Sequence, residues 1–169
     1  IRITFVINLQ KHTVVASEGY MIDLAGESHI KSLKLSTLDM YKDSRYFYDG
    51  NFELDKINSF YSEWIEKAVL GKFDHECYCI FENNKPIAFC TIRYNKNTAS
   101  IGLFGVTNGY AGKGLGKILL DDVLFRMKQK GLTQIFVVTQ GRNYGAQRLY
   151  QSCGFRTLST ELWYHKWMN

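Results

Sequence analysis

The sequence predicts a single α/β domain, a layer sandwich on a mixed, mostly antiparallel sheet flanked by helices. Several short runs alternate apolar and polar residues with period two, and separate stretches place apolar residues at three- and four-residue steps. A glycine-rich segment then joins one run of each kind in the order strand, turn, helix. The 169 residues are 46% hydrophobic with one proline and no low-complexity tract. They are read as one ordered domain over 1–169, burying about two thirds of its unfolded surface without a staple or a metal.

The elements follow in order. Ile1 to Asn8 alternates and predicts a strand, with a second short strand expected around Thr13 to Ala16. Ser28 to Met40 carries Ile30, Leu33, Leu35, Leu38 and Met40 near helical spacing, and the polar-aromatic stretch Asp43 to Gly50 reads as a loop. Leu54 to Leu70 lines Ile57, Phe60, Tyr61, Trp64, Ile65, Ala68 and Val69 along one face, so a second amphipathic helix is expected to end near Gly71. Glu76 to Glu82 and Ile87 to Asn95 are β-rich runs joined by Asn83-Asn84-Lys85-Pro86, a hairpin; Thr98 to Thr107 adds a third antiparallel strand.

After the glycine segment, Leu115 to Lys130 buries Leu115, Ile118, Leu119, Val123 and Met127 on one face, and Gly131 closes that helix. Thr133 to Gln140 reads as a buried strand, which a right-handed crossover lays parallel to the strand holding Val106. Asn143 caps a short helix to Ser152, Gly154 turns the chain, and Leu158 to Trp167 reads as the last strand.

Charge narrows the class of partner. A net charge of +5 suits an acidic ligand, but Lys and Arg are scattered, which favours a nucleotide-like coenzyme over nucleic acid. Cys77, Cys79, Cys90 and Cys153 lack zinc-ligand spacing, and three lie in apolar alternating runs, so buried reduced thiols and no metal are expected. No apolar run reaches the ~20 residues of a membrane helix, and Arg2 sits inside a β-like run rather than a signal peptide. A cytoplasmic protein with no membrane partner is expected.

The chemistry concentrates between Ile101 and Tyr150. Ala111-Gly112-Lys113-Gly114-Leu115-Gly116-Lys117 runs straight into a helix, where unpaired amides and aligned peptide dipoles favour phosphate. A magnesium-binding phosphate loop needs Ser or Thr after its lysine, whereas Ile118 follows Lys117. A dinucleotide fold needs an acidic residue about 20 positions on at the end of a strand, and that stretch lies around Lys130 to Ile135.

With these residues the chain resembles the GNAT superfamily of acetyl-coenzyme A-dependent N-acetyltransferases. Their pyrophosphate loop reads Arg or Gln, two residues, Gly, one residue, Gly or Ala, and residues 111–116 match except at Ala111, which lacks the side-chain contact. The resemblance implies that the main chain of Phe104 and Val106 holds the pantetheine arm and that amides of Ala111, Gly112, Lys113, Gly114, Leu115, Gly116 and Lys117 bind pyrophosphate. It further implies that Asn143 positions the pantetheine and that Tyr150, two turns along the same helix, protonates the departing sulfur. Val137-Val138-Thr139-Gln140, Ala146 to Gln151, Ser159 to His165 and Ser44 to Asp49 are similar to members that acetylate a nucleotide-linked 4-amino-4,6-dideoxy sugar. By their chemistry Arg45 suits a diphosphate, and Tyr46, Phe47 or Tyr48 either stacks on a base or sugar face or packs under the sheet.

Moving a proton from a phenol to a free thiolate is uphill by about 2 kcal/mol, within reach of an acid acting as charge develops. Neutralising an amine of pKa ~10.4 at pH 7 costs about 4.6 kcal/mol, so a base or a water wire is expected, with Glu76, Glu82, His75, Asp43 and Glu161 as candidates. Two readings stay open beside the sugar: a transferase for another amine, such as a polyamine, an antibiotic or a protein amino terminus, and a non-catalytic coenzyme-binding module. The aromatic end, Trp163 to Trp167, is either a homodimer seam or the finish of the sheet.

Overall fold

The computed structural model describes residues 1–13 and 19–168. Among them seven strands form one sheet: β1 (Arg2–Asn8), β2 (Met21–Leu24), β3 (Glu76–Glu82), β4 (Lys85–Asn95), β5 (Thr98–Val106), β6 (Gln134–Gln140) and β7 (Arg156–Glu161), in the order β2-β3-β4-β5-β6-β1-β7. Five helices cover it: α1 (Ile30–Thr37), α2 (Arg45–Asp49), α3 (Leu54–Val69), α4 (Leu115–Gln129) and α5 (Tyr144–Ser152). Every neighbouring pair is antiparallel except β5 and β6, which run parallel as the crossover requires. The mixed, mostly antiparallel sheet expected from the sequence is the fold.

Each sheet face has its own core. Leu115, Leu119, Leu120, Val123, Leu124 and Met127 of α4 pack with Ile80, Ile92, Ile101 and Ile135 on one face, where Tyr150 and Phe155 join them. Ile57, Tyr61 and Ile65 of α3 and Leu33 of α1 pack with Cys79, Phe89 and Leu103 on the other. All four cysteines are free and buried. Inward-facing residues of the strands thus alternate between two helical layers, which is why the central runs read as almost continuously apolar.

The structure corrects several boundaries. The first helix is a 3-10 turn at Glu27–His29 followed by α1, and it stops at Thr37 because Leu38 is extended and Asp39 takes φ 55°. The stretch expected as a loop holds α2, bracketed by Ser44, whose hydroxyl accepts the Phe47 amide at 3.3 Å, and by Gly50 at φ 77°. The hairpin turn shrinks to Asn83-Asn84, both left-handed, so Lys85 and Pro86 join β4. The register shift at Phe81 opposite Pro86 accommodates the proline, which has no N–H to give.

β2 has no counterpart among the expected elements; the strand expected near Thr13 to Ala16 falls mostly outside the described residues. β7 ends at Glu161 rather than Trp167, because residues 162–167 leave the sheet and set His165 and Trp167 against Phe52 and Tyr46. β1, early in the chain, lies between β6 and β7, two strands from near its end.

Candidate active site

Two departures from regularity open the sheet at one place. β5 and β6 pair only from Thr98↔Gln134 to Ile101↔Val137, although β5 runs on to Val106 and β6 to Gln140, so the two strands splay beyond Ile101. At the same point β5 carries an extra residue. Cys90 lies opposite Phe104 and Ile92 opposite Ile101, which leaves Gly102 and Leu103 facing Thr91 alone.

The Thr91 hydroxyl locks that bulge, accepting the Leu103 amide at 2.7 Å and donating to Asp74 Oδ2 at 2.6 Å. Asp74, 1% exposed, also receives Trp64 Nε1–H at 2.8 Å and Arg93 Nε–H at 3.0 Å. A side chain on Gly102 would collide with this carboxylate, so the bulge requires glycine there.

The bulge sets which backbone groups face the gap. The Thr107 amide bonds Ile87 O at 2.9 Å, which makes it and every second residue before it, Gly105 and Leu103, face β4. The N–H and C=O groups of Phe104 and Val106 therefore point the other way, into the splay. A pantetheine arm, with its own amides, is a ligand suited to such an unpaired edge.

The glycine segment stands at the end of the gap. Gly112 and Gly114 have φ of 79° and 78°, and nothing lies within 4 Å of where a Cβ would sit on either. Among the described residues nothing accepts the amides of Gly114, Leu115 or Gly116. Those donors, at the positive end of a 15-residue helix, fit a pyrophosphate. Lys117 differs from expectation: its amide returns to Gly114 O at 3.0 Å and its ammonium to Asp121 at 2.5 Å. Gly116 packs beneath Leu149, and Lys113 stacks over Tyr110, whose hydroxyl is held by Glu82 at 2.5 Å. Ala111 is exposed and adds no side-chain contact. A Gly114→Val variant forces a β-branched residue into left-handed backbone and is expected to weaken coenzyme A binding at least tenfold, as read by calorimetry.

Tyr150 reaches the splay from α5. Its ring is 4% exposed, wedged between Phe5, Phe104 and Phe155 with centroids at 5.9, 6.4 and 5.8 Å. Its hydroxyl has no partner among the described residues and opens to accessible space. Burial, with Cys90 nearby, pushes the phenol well above its ordinary pKa, so it stands protonated. Asn143 caps α5, its Oδ1 accepting the Ala146 amide at 3.0 Å, which leaves the side-chain NH2 as its donor.

The residues expected to meet the acceptor lie on α2, flanked by the turn that follows β6 and roofed by the tail. Arg45 lies between the rings of Tyr46 and Trp163, 4.8 and 4.6 Å from their centroids, and donates to the Tyr46 hydroxyl at 2.8 Å. Arg142, which sequence reasoning missed, sits 3.4 Å over Tyr48 at the end of β6. Among the described residues neither guanidinium has a carboxylate partner. The tail completes this roof: His165 and Trp167 bond the two carboxylate oxygens of Asp49, and the Asn51 amide with these partners holds that carboxyl below its usual range.

Four of the five expected bases already hold partners. Glu76 binds Lys130, Tyr78 and Tyr94; Glu82 binds Tyr110; His75 Nδ1 accepts the Tyr94 amide; Glu161 binds Arg2, Ser159 and Trp163; Asp43 is exposed. Asp74 carried no sequence signal, since Phe73-Asp74-His75-Glu76 reads as an ordinary polar turn. Among the described residues no group of three or more His, Cys, Asp or Glu is placed for a metal ion, and no helix is long and apolar enough to cross a membrane.

Comparison with known proteins matches this architecture. The model of the acetyltransferase (GNAT) family covers residues 35–155. The dTDP-fucosamine acetyltransferase of Escherichia coli O6:H1 is 31% identical over 154 residues, 90% of this chain and 65% of the relative. The spore coat polysaccharide biosynthesis protein SpsD of Bacillus subtilis is 25% identical over 76% of this chain and 44% of its own length. The chain spans less than two thirds of either relative. Among solved structures, PaiA N-acetyltransferase from Thermoplasma acidophilum in complex with coenzyme A superposes with a TM-score of 0.70 at 19% identity, over 85% of this chain and 93% of that one. With a family model spanning most of its length and a sheet that splays beside a glycine-opened helix, the chain belongs to the acetyltransferase (GNAT) family.

Proposed function

We propose that this chain transfers the acetyl group of acetyl-coenzyme A to a primary amine on a small molecule, and that the acceptor is a nucleotide-linked 4-amino-4,6-dideoxy sugar. The observation that carries the reading is the unpartnered Tyr150 hydroxyl at the splay, beside the free edge of Phe104 and Val106 and in line with the open amides at the start of α4.

When bound, acetyl-coenzyme A supplies an activated thioester. The amides of Gly114, Leu115 and Gly116 grip its pyrophosphate, the β5 edge holds its pantetheine, and the Asn143 side-chain NH2 donates to the same arm. Main-chain N–H groups of the splayed edge polarise the thioester carbonyl. The neutral amine attacks that carbon, a C–N bond forms and the C–S bond breaks. The Tyr150 proton goes to the sulfur and the surplus amine proton to solvent. Among the described residues Glu76, Glu82 and Glu161 are already bonded to other side chains and Asp43 is exposed, so a water wire or Asp43 serves that last transfer.

For the acceptor, the likeness to the fucosamine enzyme supports an amino sugar, and two unpaired guanidiniums at α2 suit a diphosphate. Tyr46 and Tyr48 present ring faces beside them. Thiol release from acetyl-coenzyme A should be seen with a dTDP-linked 4-amino-4,6-dideoxy sugar and be much slower with spermidine, an aminoglycoside or an N-terminal peptide amine; the reverse order overturns the sugar assignment. Arg45→Ala is expected to raise the KM for the nucleotide sugar about 10- to 100-fold and leave that for acetyl-coenzyme A unchanged, measured by steady-state kinetics.

A further inference from the structure

Among the described residues two buried side-chain polar atoms have no hydrogen-bond partner, Arg93 Nη2 and the hydroxyl of Tyr41. The arginine nitrogen belongs to the Asp74 cluster already described. The Tyr41 hydroxyl belongs to nothing. Buried hydroxyls in folded proteins are nearly always satisfied, and an orphan beside a binding cleft points to a partner that arrives with a ligand.

The geometry around Tyr41 says which ligand. Tyr41 follows Met40, whose sulfur occupies the space a side chain at Gly105 would take, so this segment crosses directly over the splayed half of β5. Its ring stacks on Tyr61 of α3 with centroids 4.2 Å apart and planes 24° from parallel. It therefore approaches the strand from the α1 and α3 face, whereas Tyr150 and the start of α4 approach from the opposite face. The coenzyme takes the second face, so the acceptor enters by the first and meets Tyr41.

The groups whose charge is felt at the phenol are Tyr61, Tyr150, Cys77 and Cys90, none of them a carboxylate, and burial keeps it protonated. A neutral donor in apolar surroundings takes a neutral oxygen rather than an ammonium group.

We infer that Tyr41 is a specificity-determining residue whose hydroxyl donates to an oxygen beside the reacting amine, selecting a vicinal amino alcohol over a plain amine. The inference rests on the acetyl-transfer reading and sharpens it.

The test compares dTDP-4-amino-4,6-dideoxygalactose with its 3-deoxy analogue, in wild-type protein and in Tyr41→Phe. The wild type is expected to favour the hydroxylated sugar at least tenfold in kcat/KM. Tyr41→Phe should abolish that preference by losing activity on the hydroxylated sugar alone. Its KM for acetyl-coenzyme A should stay the same and its Tm equal or exceed the wild type's, because the lost hydroxyl bonds nothing among the described residues. A variant that keeps the preference, or that unfolds at lower temperature, overturns the inference while leaving acetyl transfer intact. A wild type that releases no thiol with either sugar overturns the sugar reading instead; the Tm of the variant then decides whether Tyr41 is a structural group or an orphan awaiting a ligand.

Discussion

Tyr150→Phe is expected to lower kcat by about 10²- to 10⁴-fold and leave the coenzyme A dissociation constant within about twofold. The ring fills its slot among Phe5, Phe104 and Phe155 with or without the hydroxyl, and the hydroxyl bonds nothing among the described residues, so the variant keeps the fold. Single-turnover acetyl transfer and calorimetric titration with coenzyme A separate the two effects. A variant retaining more than about a third of the turnover would remove Tyr150 from the chemistry and leave a binding module or another acid.

The pH dependence follows from the same burial. A phenol raised by desolvation stays protonated through its unfolded value of ~10, so Tyr150 contributes no alkaline fall in kcat/KM below about pH 10. Its linkage to stability has the same sign: the contribution is complete below about pH 10 and is lost as pH rises above it. Activity should instead climb with pH as the acceptor amine loses its proton.

Asp74→Ala has the largest expected effect on the fold, about 3 kcal/mol of stability, or a fall of roughly 10 °C in Tm. The carboxylate is buried and collects donors from Trp64, Thr91 and Arg93, and its loss leaves the indole N–H and the threonine hydroxyl without their acceptor. The damage should reach the site as well, since Thr91 then no longer pins Leu103 and the bulge that opens the splay relaxes. Coenzyme A affinity should therefore fall with stability. Arg93→Ala is the contrast: that side chain is 39% exposed although its Nη2 is buried, so solvent screens part of its pairing, and about 1 kcal/mol or less is expected. Equal losses from both variants would show that charge pairing rather than the bulge is what Asp74 provides. Thermal melts and coenzyme titrations of the pair decide between them.

The long elements were legible because each repeats its own period. α3 and α4 carry their apolar stripes over four turns, and β3 to β5 read as alternating runs joined by asparagine turns. The order strand, glycine turn, helix, strand imposed the parallel pair β5 and β6. That order also sets the glycine segment at the start of α4, whereas the roles expected of residues 111–117 and of Tyr150 come from the family resemblance.

Features made by distant partners were not legible. α2 is too short to show a period, and only its brackets, Ser44 and Gly50, hint at it. The tail looked like a strand because Trp163 to Trp167 is aromatic and alternating, yet its rings gain a better bed on Phe52 and Tyr46 than an edge strand offers. The Gly102–Leu103 bulge depends on Thr91 and Asp74, 11 and 28 positions upstream of Gly102, and no local pattern announces it. Arg142 and Tyr41 matter only through the surfaces they meet in three dimensions.

The seat of β1 between β6 and β7 also dictates a folding history. This strand is made well ahead of both of its hydrogen-bonding neighbours, which follow more than 120 residues later, and until then Phe5, Ile7 and Leu9 have no sheet to enter. Such distant pairing raises contact order and slows folding, and an early apolar strand with two bare edges is an aggregation hazard. Nascent chains stalled before β6 should therefore engage chaperones through residues 1–10, and release them only once β7 has docked.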